Sequence, residues 1–290
     1  MRALLLFPLL LLALSGCGLV GLTVDDGRIH IVASTNVYGD IAAAIGGDQV
    51  EVASIVDDPA QDPHSVEGSA RVQLALSRAD VVIMNGGGYD DWMETMLDGL
   101  DHRPEVISVT GISGYDTSGE FNEHLWYDFA SMQRFVVQLR ETLRQKMYSI
   151  GEVVPDSDFA ERFKELQDRE AAIAERVDSL GVAITEPVPL YLLTACGFEN
   201  VTPSAFSEAI EEGTDVPPAA LRDTLALFRS GAAALLVYNE QTTSPETEQV
   251  KAAAIAVGVP VVPVSETLPR GLHYLEWMTE NLDALEAALA

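Results

Sequence analysis

Val81-Val82-Ile83-Met84 is followed by Asn85-Gly86-Gly87-Gly88 and then by a helical pattern over residues 89–100. Four consecutive apolar residues ahead of a glycine turn and an amphipathic segment read as a buried parallel strand that feeds a helix. The glycines fit a tight strand-to-helix turn; the spacing of a dinucleotide or P-loop phosphate cradle is missing. The same alternation lies on either side. Upstream, 29–34 precedes a helix over 38–45, and 50–56 precedes one over 65–78; downstream, a strand over 105–110 closes the set. From Trp126 to about Leu180 no strand is evident and two long helices fit. The second, over 157–180, repeats Phe159, Phe163, Leu166, Ile173, Val177 and Leu180 among charges, with Pro155 and Gly181 as start and stop signals. Strands then resume at 182–185, 234–238 and 260–265, separated by helical stretches 187–195, 219–228 and 245–257 and followed by a helix over 274–289. The expectation is an α/β fold of two lobes, each a mostly parallel sheet flanked by helices, joined by one long backbone helix. The N-terminal lobe takes residues 29–155, the linking helix 156–180 and the C-terminal lobe 181–290.

The chain starts with Arg2, an uncharged stretch over 3–14, and Leu14-Ser15-Gly16-Cys17. The apolar run is shorter than the roughly 20 residues of a membrane-spanning helix and ends in small residues, so 1–16 reads as a signal peptide and 17–28 as a tether. The lipobox pattern resembles that of bacterial lipoproteins, which implies acylation at Cys17 and a lipid-anchored protein at the cell membrane, facing the outside or the periplasm. Cys196 is then the only other cysteine, no intramolecular disulfide can form, and a small buried hydrophobe is the expected role for Cys196.

Lys and Arg number 17 against 45 Asp and Glu, a formal net charge of −28, and removal of Arg2 with the signal makes it one unit more negative. Such a surface repels polyanions, so nucleic acid is excluded as a partner. It also concentrates cations, although acidity of this kind equally accompanies a salty habitat.

Four potential metal ligands sit at or beyond the ends of strand-like runs, two in each half: His64 in Asp62-Pro63-His64-Ser65, His124 in Asn122-Glu123-His124-Leu125-Trp126, Glu186 in Thr185-Glu186-Pro187 and Glu266 in Ser265-Glu266-Thr267. Ligands of open parallel sheets bind outside the carboxyl ends of the strands. Two imidazoles and two carboxylates offset a divalent ion and suit zinc, manganese or iron. Asp62, Asp128 and Glu240 are candidates to hold the imidazoles by their second N–H. Trp126 and Tyr127 fit a cleft wall and core packing equally, while His30, His102 and His273 read as structural or solvated.

Taken with Ala33-Ser34-Thr35-Asn36, Gln61-Asp62-Pro63-His64-Ser65, Asn85-Gly86-Gly87-Gly88-Tyr89, Glu123-His124-Leu125-Trp126-Tyr127-Asp128 and Thr267-Leu268-Pro269, the chain resembles the zinc- and manganese-binding solute-binding lipoproteins of bacterial ABC transporters over nearly its whole mature length. The resemblance implies His64 and His124 as ligands from the first lobe and Glu186 and Glu266 from the second. It further implies capture of a metal ion outside the cytoplasmic membrane and delivery to an ABC permease and its ATPase, by a monomer without enzymatic activity. In that family the second histidine commonly follows Asn-Pro, whereas Glu123 here places an extra carboxylate beside it. The fourth ligand is usually Asp in manganese-type members, and Glu266 is one methylene longer. Zinc-type members often carry a third histidine where Glu186 stands. Carboxylate for imidazole moves the site toward manganese or ferrous iron, yet zinc outranks both in intrinsic affinity, so zinc or manganese is expected with iron third. The rival classes are an exported zinc-dependent hydrolase, which needs a position left for water, and a lipoprotein that binds a siderophore or another chelate. A linking helix free of Pro and Gly over 157–180 predicts a stiff strut and modest tilting of the lobes.

Overall fold

The computed structural model describes residues 27–58, 66, 68–119 and 121–290. The signal peptide, Cys17, Asp62 and His64 lie outside the described residues.

In the N-terminal lobe, β1 (Ile29–Thr35), β2 (Val50–Val56), β3 (Val81–Met84) and β4 (Glu105–Ser108) form one parallel sheet in the order β2-β1-β3-β4. The helices α1 (Asn36–Gly46), α2 (Ala70–Leu76), α3 (Asp91–Asp98) and α4 (Val109–Ser113) follow the strands. The longest helix, α5 (Phe129–Ser149), ends the lobe. The C-terminal lobe repeats the plan: β5 (Leu180–Ile184), β6 (Phe198–Asn200), β7 (Leu235–Asn239) and β8 (Val261–Val264) pair in parallel in the order β6-β5-β7-β8. Between and after them run α7 (Leu190–Ala195), α8 (Ser204–Glu211), α9 (Pro218–Ser230), α10 (Pro245–Ala256) and α11 (Tyr274–Ala288). The central strands are apolar on both faces, and β3, β7 and most of β1 are buried throughout, because helices cover both sides of each sheet. In this order the chain reverses direction across the sheet between β1 and β3 in one lobe and between β5 and β7 in the other. In open parallel sheets such switch points, beyond the carboxyl ends of the strands, are where ligands bind.

The glycine turn after β3 is as expected: Gly86, Gly87 and Gly88 all have positive φ. The buried Asp90 carboxylate closes the turn by accepting from the Asn85 and Gly86 N–H groups, each at 2.7 Å.

Three expectations need correction. The linking helix is α6 (Phe159–Ala174), shorter than 156–180 at both ends, and Leu180 belongs to β5. Gly181, taken as a stop signal, lies inside β5 opposite Glu199; a Cβ there would stand 2.0 Å from the Ala232 carbonyl oxygen, so close strand approach demands the glycine. The turn after α6 is made instead at Ser179, a non-glycine residue with φ of 52°. The strand over 105–110 ends at Ser108, whose hydroxyl accepts from Gly111 N–H and starts α4. β6 and α8 were not expected at all.

The helix α6 is not the only link between lobes. It packs on the C-terminal lobe, where Arg169 pairs with Asp283 and Glu286, each at 2.6 Å. One apolar cluster runs from Ile31 and Tyr38 through Trp126, Phe129 and Phe163 to Tyr274, Trp277 and Ile184, so the lobes share a core. Asn36 bonds both the carbonyl (3.0 Å) and the N–H (2.9 Å) of Leu268, and Asp40 accepts from Tyr274 N–H at 2.8 Å while holding the exposed His273 ring. Among the described residues no helix is long and apolar enough to cross a membrane.

Candidate metal centre

Glu186 follows β5 and Glu266 follows β8, both at the carboxyl end of the second sheet and both 2% exposed. Burial of two like charges needs donors, and Asn239 at the end of β7 supplies them. Its side-chain nitrogen donates to Glu266 Oε1 at 2.9 Å and to Glu186 Oε2, and Thr242 Oγ1 donates to the same Glu186 oxygen. Gln241 accepts from the N–H groups of Glu266 (2.6 Å) and Thr267 (3.0 Å), fixing the turn that aims Glu266. Burial, with Glu266 and Glu211 nearby, raises Glu186 to about 7 against the lowering effect of the Thr242 and Asn239 bonds.

His124 comes from the other side. It precedes the 3-10 turn Leu125–Tyr127, is fully buried, and packs edge-on to Trp126 with ring centres 5.1 Å apart; Tyr89 lies at 6.2 Å. Its Nδ1 meets Asn122 Oδ1 at 2.7 Å, and the Asn122 amide is oriented by donating to Pro187 O at 2.9 Å. An acceptor at Nδ1 places the hydrogen there and leaves the lone pair of the neutral ring on Nε2. Nε2 faces Glu211 Oε1 at 3.5 Å and Glu266 Oε2 at 3.9 Å. Burial opposes a charge on this ring, but the nearby carboxylates of Glu266, Glu211 and Glu123 outweigh it and raise its pKa. Tyr191 OH (2.7 Å, to Asn122 O) and Tyr127 OH (2.8 Å, to Ser265 O) stitch this loop to the second lobe.

Of the four expected ligands, His124, Glu186 and Glu266 converge, and His64 lies outside the described residues. Among the described residues no group of three or more His, Cys, Asp and Glu side chains meets the geometry of a formed metal centre. Two of the expected supports are placed elsewhere: Asp128 caps α5 through Ala130 and Ser131 N–H, and Glu240 is exposed. Asn122 holds the His124 ring instead, and Asn239 holds the two carboxylates. Asn239 had a signal in the sequence, a polar residue ending an apolar strand at a switch point. Glu211 had only a helical phase shared with the buried Ser207. Trp126 and Tyr127 are core residues that also wall the site, and Cys196 is buried with its thiol pushed up to about 12, which leaves it inert.

Residues 31–288 match the family model described as zinc-uptake complex component A, periplasmic, ZnuA. The manganese-binding lipoprotein MntA of Halalkalibacterium halodurans is 26% identical over 207 residues, covering 67% of this chain and 68% of that protein. The manganese ABC transporter substrate-binding lipoprotein PsaA of Streptococcus anginosus is 22% identical over 288 residues, 91% of this chain and 90% of that one. Among solved structures, the periplasmic zinc-binding protein TroA of Treponema pallidum superposes with a TM-score of 0.74 at 18% identity, over 91% of this chain and all of that one. The binding protein FpvC of Pseudomonas aeruginosa, solved with Mn2+, gives 0.72 at 20% identity over 90% and 98%. At these identities the structural likeness speaks for the two-lobe fold. The family match spans nearly all of the chain beyond its N-terminal segment, and the chain belongs to the ZnuA family of periplasmic zinc-uptake components.

Proposed function

We propose that this protein captures a divalent transition-metal ion, zinc or manganese, outside the cytoplasmic membrane and delivers it to an ABC permease for import, without catalysing a reaction. The observation that carries this reading is the convergence of His124 Nε2 from the first lobe with the carboxylates of Glu211 and Glu266 from the second. Family membership and the names of relatives, manganese-binding and metal ABC transporter lipoproteins, support it. His64 is proposed as the second imidazole and Cys17 as the lipid anchor. An ion of charge +2 offsets the carboxylates that are otherwise buried beside one another, and ferrous iron is a third option for the same donors.

The lobes 29–155 and 181–290 are proposed to tilt modestly about the linking helix, within which Phe159–Ala174 contains neither Pro nor Gly. The direct bonds between lobes favour the same conclusion.

Elemental analysis of protein purified without added metal, with competition titration, tests the assignment: one equivalent of zinc or manganese, lost in His124→Ala, is expected. A copper or nickel preference, or hydrolytic turnover abolished by mutation of His64 with metal uptake unaffected, overturns it.

A further inference from the structure

Glu211 is the last residue of α8, and its position is set by packing. Phe206 and Ile210 on the same helix are buried in the second lobe's core. Beyond it, Gly213 N–H bonds Ile210 O at 3.1 Å, Thr214 N–H bonds Ala209 O at 2.8 Å, and Gly213 has a φ of 62°, so the helix stops there. The Glu211 side chain is 13% exposed and presents Oε1 to His124 Nε2, the atom that also faces Glu266. This is a costly place for an anion. A carboxylate at a helix C-terminus meets the negative end of the macrodipole, and Glu186 and Glu266 bring two more negative groups to the same pocket. A protonated imidazole supplies a single positive charge, whereas a divalent ion supplies two.

Resting on the proposed capture of zinc or manganese, we infer that Glu211 is a specificity-determining residue of this site, its carboxylate adding a third anionic oxygen donor beside Glu186 and Glu266 and favouring manganese(II) over zinc(II). The chemistry follows from the donors. Four ligands in a tetrahedron satisfy zinc, and a further carboxylate brings crowding there. Manganese(II) takes more oxygen donors and suits carboxylates better than imidazoles. The adjacent Glu212 is exposed and serves as a neighbour of equal charge.

The test is a chelator-competition titration of the metal-stripped full chain with Mn2+ and with Zn2+, applied to wild type, Glu211→Gln, Glu211→Asp and Glu212→Gln. Glu211→Gln is expected to weaken manganese binding roughly 10- to 100-fold and zinc binding less, so that the manganese-to-zinc affinity ratio falls. Glu212→Gln is expected to leave both affinities unchanged. The electron paramagnetic resonance spectrum of bound Mn2+ should change in Glu211→Gln and not in Glu212→Gln, which a merely structural role does not produce. Glu211→Asp keeps the charge on a shorter arm, should lower the ratio less, and carries the test if the glutamine variant does not fold. An unchanged ratio in the variant that folds, or an equal loss for both ions, overturns the inference while leaving metal capture intact. Wild-type protein that binds neither ion overturns the proposed function itself.

Discussion

In the C-terminal lobe Glu186 and Glu266 stand just beyond the strands that carry them, and one buried amide, Asn239, holds both. In the N-terminal lobe His124 lies far along a segment that leaves β4 at Ser108, and its ring is set by Asn122, which is itself anchored to Pro187 and Tyr191 of the other lobe. The two sheets have the same strand order, so topology does not produce this difference. What differs is how each donor is fixed: the carboxylates by an amide of their own sheet, the imidazole by Asn122, itself tied to the other lobe. The second lobe therefore holds its carboxylates with its own amide, Asn36 adding a tie from the first lobe at Leu268, while the first lobe's imidazole is set from across the seam.

The sharpest way to break this comparison is to remove one donor from each side. His124→Ala and Glu186→Ala are each expected to lower metal affinity by more than about 100-fold, since each exceeds the loss of an outer support, as read by competition titration. A small effect of either would leave one lobe dispensable. Next come the supports. Asn239→Ala should cost roughly 10- to 100-fold in affinity, and Asn122→Ala less, because Trp126 and Tyr89 still confine the ring. A larger loss at Asn122 would reverse the ranking of the two lobes.

The pH dependence follows from the same groups. In the metal-free protein Glu186 lies at about 7 against an ordinary value of 4.5. Above pH 7 it is charged in both folded and unfolded chains, and its burial costs the folded one; as pH falls through 7 the folded chain takes up the proton first and that cost disappears. The raised value of His124 acts in the same direction, its stabilising effect being complete below the unfolded value of 6.5 and lost as pH rises through the folded one. Metal-free protein should therefore melt higher at pH 6 than at pH 8. The metal-bound form should lose affinity over that interval, because the ion competes with both protons. Melting curves with and without metal should show the gap narrowing on acidification, and a widening gap would remove these residues from the site.

The smaller effects lie in the seam between lobes. Asn36→Ala strips two bonds from Leu268 and is expected to destabilise by about 1–3 kcal/mol, seen as a lower melting temperature. Arg169→Ala, whose partners are a third or more exposed, should cost less than about 1 kcal/mol and matter less in high salt.

Much of the fold was legible because central strands are continuous apolar runs and helices keep their period, as at Val81–Met84 and Tyr274–Ala288. β6 escaped because three residues, Phe198–Asn200, are too few to show a pattern. The end of α6 was misplaced because Val177 and Leu180 keep the helical spacing while Ser179 supplies a turn that usually falls to glycine. At the site, Glu186 and Glu266 could be named as candidates from strand ends and His124 from its sequence motif. Glu211 could not, for Glu211 and Glu212 are chemically alike and only the packing of α8 decides which one turns inward.

Asn36 meets Leu268 through a pair of hydrogen bonds. A side-chain amide that engages both the N–H and the C=O of a single residue imitates a neighbouring strand, so the loop carrying Glu266 is registered against the end of β1. Sliding that loop by a bond length strains both contacts together, and losing one leaves the other badly aligned. Parting the lobes at this point costs both bonds together, and under the proposed function release of the ion has to meet that cost.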